Sequence, residues 1–138
     1  HNSAGLAIPD FPTLGGTWIP TFNSDWFMEL NKLRAERGLS EVTAFQVGIH
    51  LLHRALGFLM LPLAAVLVWG TARGAKKDGD IKRAAYGILT LMVVQLLLGV
   101  YTVISGRDPT LASFHVLTGA SLLALAWLFF LKVRFSNR

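Results

Sequence analysis

Residues 46–69 read "QVGIHLLHRALGFLMLPLAAVLVW". As a helix this run is long enough to cross a hydrocarbon core of about 30 Å. Beyond Arg54 it holds no charged residue, yet its outer end carries His50, His53 and Arg54 within five positions. Ionisable groups at membrane depth are costly, so they mark a functional site or a contact with headgroups. Pro62 lies inside the run, where neighbouring helices can satisfy the carbonyl it frees.

Working outward, two further apolar runs have spanning length, residues 84–105 and 111–131. The fold class expected is all-α: a transmembrane helical bundle with three spans, preceded by a long structured loop. Composition agrees. Of 138 residues 53% are hydrophobic and 15% charged, and the mean hydropathy is +0.50, values that suit a membrane protein. The absence of cysteine excludes disulfides and thiolate metal sites. The net charge of +5 does not point to nucleic acid, because the basic residues sit between and after the apolar runs. Residues 73–83 hold five basic and two acidic residues, and Lys132, Arg134 and Arg138 follow the last span. Residues 1–45 hold three basic residues against five acidic ones. The positive-inside rule therefore places 73–83 and the C-terminus in the cytoplasm, and 1–45 and 106–110 on the extracytoplasmic side. The setting is the bacterial inner membrane or its equivalent. The chain opens on His1-Asn2-Ser3. Three spans with an outer N-terminus lead us to expect one further helix before it.

Two units follow: an extracytoplasmic segment, 1–45, and the transmembrane helices, 46–138. "AGLAIPDFPTLGGTWIP" (residues 4–20) is rich in Gly and Pro and reads as a structured loop. From Asp25 to Arg37 the pattern turns helical, with Trp26, Phe27, Leu30 and Leu33 on one face. Asn23 or Ser24 suits its N-cap and Gly38 its end. The apolar face suits the outer membrane surface or this chain's own loop.

Depth singles out two histidines. His53 lies about 10 Å inside the first span and His115 about 6 Å inside the third, both entered from the outer face. Each is followed at i+4 by glycine, Gly57 and Gly119, on the same helix face. Two imidazoles at matched depth, each with cleared space, suit a flat porphyrin held between two helices. The bland reading is interhelical packing by polar and small residues. Zinc fits less well, since no carboxylate or cysteine shares that depth. His50, one turn outward, can assist protons, touch a propionate or snorkel. Arg54 can pair with a propionate or reach the headgroups. Gln95, about 15 Å deep in the second span, can touch a macrocycle edge or cross-link helices.

Taken in order, "AGLAIPDFPTLGGTWIP", "IHLLHRALG", "VQLLLGVYTV" and "SFHVLTGASLLALA" resemble the heme A synthase family, over nearly the whole chain to about Trp127. The resemblance implies one four-helix half of a two-bundle protein, lacking its first helix. It implies metal ligation by His53 and His115 and cofactor contacts from Arg54, Gly57, Gln95 and Gly119. The bound group is heme b, or heme O and heme A. The implied reaction oxidises the heme O methyl group to the formyl group of heme A for cytochrome oxidase, with His50 assisting protons. Implied partners are heme, membrane lipid, a second family half, heme O synthase, or a respiratory or photosynthetic complex. Two positions depart from the pattern. Ile8 and Leu14 stand where many bacterial members have a cysteine pair, and His50 stands where the catalytic half carries glutamate. The alternative is a non-catalytic bis-histidine heme b module for electron transfer, or an accessory subunit of a membrane redox complex. A purely structural bundle is the third reading.

Overall fold

A computed structural model describes residues 6–74 and 79–136. It contains four helices, α1 (Ser24–Glu36), α2 (Ala44–Gly74), α3 (Gly79–Ile104) and α4 (Pro109–Ser136), and no strand among the described residues. Residues 1–5, residues 75–78 of the basic 73–83 segment, and Arg138 lie outside the described residues.

The three long helices match the three expected spans and run past them by several residues at most ends. The apolar runs mark only the hydrocarbon-crossing part of each helix, while capping decides where the backbone stops. Before α2, the Thr43 hydroxyl accepts from the Gln46 amide (3.3 Å) and the Gln46 side chain accepts from the Thr43 amide (2.9 Å). This is a reciprocal capping box. Before α4, Asp108 Oδ1 accepts from the amides of Thr110 (2.9 Å) and Leu111 (3.1 Å), with Pro109 as first helical residue. α3 ends as Gly106, at φ 68°, and Arg107 donate back to Val103 and Thr102. The resulting reversal sets α3 and α4 side by side. α2 continues through Pro62.

Almost none of the apolar length of these helices is buried within the chain: 6%, 6% and 0% for α2, α3 and α4. Leu63, Leu117, Leu123 and Trp127 all face outward. Such faces require lipid or other helices as their solvent, and the chain is an integral membrane protein. α3 packs against both α2 and α4.

The segment before α2 has its own small core. Ala7, Ile8, Trp26, Leu30, Val42 and Val47 are buried together, so α1 and the first turn of α2 close on the loop. The face of α1 that the sequence left open between membrane and loop is thus buried on the loop, through Trp26, Leu30 and Arg34. Gly15 and Gly16, at φ 63° and 78°, turn the chain between Leu14 and Thr17. Glycine is required at the first of these, because a Cβ there would meet Leu30 and Trp26 at 3.2–3.3 Å.

Candidate functional site

The N-terminal thirds of α2 and α4 bring the rings of His53 and His115 together edge to face. Their ring centres are 6.2 Å apart and their planes lie at 82°. One metal held by a nitrogen of each ring at about 2.0–2.1 Å puts the ring centres roughly 6 Å apart. Among the described residues no cluster of three or more His, Cys, Asp or Glu side chains forms a metal site. A metal between the two rings would find only two imidazoles among the described residues, and so would have to bring its other ligands with it.

α3 forms the floor on the His115 side. His115 Nδ1 lies 3.2 Å from the carbonyl of Gln95. A carbonyl only accepts, so in this bond Nδ1 carries the proton and a neutral ring keeps its lone pair on Nε2. Ligating histidines are commonly fixed this way, with one ring nitrogen tied to an outer acceptor. The ring lies against Gly99, where a Cβ would approach His115 Cε1 to 3.1 Å. The Gln95 amide nitrogen lies 3.5 Å from His115 Nε2, and Gln95 Oε1 is buried without a partner among the described residues.

The other expected residues fall around this gap as follows. Gly119 faces the Gln95 amide, 3.0 Å from where its Cβ would be, and Gly57 faces Leu96 at 3.4 Å. Both glycines admit side chains of α3. His50 is buried, at 5% exposure, one turn outward of His53. Arg54 points into the loop that precedes α1. It donates to the carbonyls of Asp10 (2.7 Å), Ile8 (3.3 Å) and Thr13 (3.4 Å), and its guanidinium lies over the Phe11 ring.

Sequence reasoning missed what holds that loop. Arg34, 2% exposed, donates to the carbonyls of Leu6, Ala7 and Ser40. Arg37 donates to that of Pro9. Burial pulls the Arg34 pKa below the usual guanidinium value. A buried arginine on an otherwise apolar helix face was the available signal. Asp10 ties the loop from within, accepting from the Thr13 hydroxyl (2.5 Å) and the amides of Gly15 and Gly16 (2.9 Å each). Burial pushes its pKa up, but these hydrogen bonds outweigh burial and hold it below the usual carboxylate value.

Comparison with known proteins adds a family. Residues 1–127 match the model of the COX15-CtaA family, described as cytochrome oxidase assembly protein. The chain is 28% identical over 133 residues to the heme A synthase of Roseobacter denitrificans, covering 96% of this chain and 31% of that protein. It is 32% identical over 124 residues to heme A synthase COX15 of Arabidopsis thaliana, covering 90% and 25% respectively. To the heme A synthase of Paracoccus denitrificans it is 28% identical over 123 residues, covering 88% and 29%. The chain spans about a third or less of the length of these relatives. No solved structure matches it significantly.

Proposed function

Because the chain belongs to the family of cytochrome oxidase assembly proteins, we propose that it is a heme-binding part of a heme A synthase. His53 and His115 hold the heme, and the protein oxidises the methyl group of heme O to the formyl group of heme A. The observation that carries this reading is the pair of imidazoles from α2 and α4 centred 6.2 Å apart. Its donor set fits a porphyrin-bound iron, which needs only axial ligands from the protein. The buried Gln95 Oε1 and the Gly99 cradle fit a site built for precise imidazole placement.

A bound heme supplies iron redox chemistry, tuned by its axial ligands and burial. The chain's own residues do the rest. The Gln95 carbonyl keeps the His115 proton on Nδ1, so the lone pair sits on Nε2, which the Gln95 amide nitrogen faces at 3.5 Å. Gly99 lets the Cε1 edge of the ring come close to α3. His50, buried one turn outward, can hold or pass a proton between the site and the outer face. Residues 1–45 and 106–110 lie on the extracytoplasmic side, so heme enters and leaves near that surface.

One observation favours a second reading. If both imidazoles held one heme iron, the protein would supply two ligands to it, which would suit a heme b that carries electrons. Absorption spectra of the purified protein, oxidised and reduced, with a pyridine extract, separate the two. Heme O or heme A supports the synthase reading. Heme b alone moves the assignment to electron transfer. No heme, or heme retained after both His53→Ala and His115→Ala, overturns both.

A further inference from the structure

We propose that Arg54 is a positioning residue that locks the outer loop, residues 6–16, onto α2 beside His53. Through this lock the loop fixes how His53 presents its imidazole. The consequence at His53 rests on the heme reading above; the lock itself does not.

Three of the five N–H donors of a guanidinium are committed to the loop, and the acceptors Ile8, Asp10 and Thr13 spread over six residues of chain. A planar fork can serve such divergent carbonyls, whereas an ammonium is a compact point charge on a flexible stem. Phe11 lies under the guanidinium and stacks on Phe58, with centroids 6.5 Å apart and planes at 17°. Phe58 is one turn after Arg54 on the same face of α2, so the loop grips two successive positions. On its far side Arg34 and Arg37 hold Leu6, Ala7 and Pro9. Among the described residues none of these three arginines is in an ion pair. Their N–H groups meet neutral carbonyls, and the Asp10 carboxylate attracts Arg54 from within the same loop without a direct ion pair, which is the chemistry of a fastener. A residue kept for its charge alone would face an anion.

His53 precedes Arg54 on the same turn. A loop pinned there covers the adjacent flank of α2, so loosening it frees the helix turn that carries the imidazole. The ring planes at 82° give this a spectroscopic readout. The electron paramagnetic resonance of a low-spin heme depends on the angle between its two axial imidazoles.

The test uses the full-length protein in lipid nanodiscs, with Arg54→Lys, which keeps the charge, and Asp10→Ala, which loosens the loop with Arg54 in place. Amide hydrogen exchange over residues 6–16 and the low-spin resonance are read together. Both variants are expected to raise exchange at least about tenfold, on the order of 1.4 kcal/mol of local opening, and to shift the resonance the same way. Wild-type exchange in Arg54→Lys overturns the lock. A resonance shifted by Arg54→Lys but untouched by Asp10→Ala overturns action through the loop and assigns Arg54 to the heme directly. A wild-type protein without heme refutes the earlier reading, and the exchange comparison then decides the lock alone.

Discussion

Replacing Gly99 with alanine places a methyl carbon 3.1 Å from Cε1, 3.6 Å from Nδ1 and 3.9 Å from Nε2 of His115. Carbon atoms pack best at about 3.5–4.0 Å, so the ring must retreat by roughly half an ångström. It has little freedom to do so, because Nδ1 is tied to the Gln95 carbonyl at 3.2 Å. Overpacking of this kind costs about 1–3 kcal/mol. Alanine returns up to about 1 kcal/mol of helix propensity, so global stability changes little. The placement of His115 absorbs the strain. A loss of about 1.4–2 kcal/mol in binding corresponds to roughly 10–30-fold weaker heme affinity. The assay is heme per protein from the pyridine extract, with circular dichroism as the check on folding. Gly70→Ala on α2 is the control, since a Cβ there meets nothing within 4 Å. Wild-type heme content and spectrum in Gly99→Ala would refute the argument that this glycine seats a ligand.

Other outcomes follow from the same geometry. Gly119→Ala also makes a close contact, but with the end of the flexible Gln95 side chain, so its heme loss is smaller than that of Gly99→Ala in the same titration. Arg34→Met leaves the buried carbonyls of Leu6 and Ala7 without their donor. At about 1–3 kcal/mol each, limited proteolysis should cut residues 6–22 far faster than in wild type. Gly15→Ala meets both a positive φ and the side chains of Leu30 and Trp26, and the same proteolysis should expose the loop. Asp10 titrates below its ordinary value in the folded loop. Its contribution is therefore full above the unfolded pKa of about 3.9 and is lost as pH falls through the lower, folded value. Protection over residues 6–16, corrected for the intrinsic pH dependence of amide exchange, should stay flat from pH 7 to about pH 4 and fall below it, and Asp10→Asn should remove that dependence.

The three spans were legible because their apolar length exceeds anything a soluble fold of this size requires. Their full extents were less legible, because Thr43, Asp108 and Gly106 decide them from outside the apolar runs. The meeting of His53 and His115 was legible as similar depth along two helices entered from one side. What lies beside each histidine was not. The i+4 rule finds Gly57 and Gly119 on the histidines' own helices, but the residues that fill those notches, Leu96 and Gln95, come from α3. The cradle for His115 likewise comes from Gly99 on α3, which entered the sequence reading only through its place in a family word. Arg54 read as a cation for a propionate or for the headgroups. In the structure it donates to backbone carbonyls some forty positions upstream, which no periodicity in α2 reveals.

α3 carries neither histidine, yet it packs on both helices that do. It therefore works as the shim of a caliper whose jaws are α2 and α4. The jaw opening is the sum of two contacts, Leu96 in the notch of Gly57 on one side and His115 against Gly99 on the other. A second notch of α3, farther from the histidines, is Gly87 against Leu125 of α4 at 3.2 Å, so the two helices meet closely at both points. Errors in a stacked gauge add. A single methyl group on either face of α3 should widen the gap between the imidazoles as surely as a change at the histidines themselves. Variation that retunes this site without touching its ligands should therefore concentrate on the helix that has none.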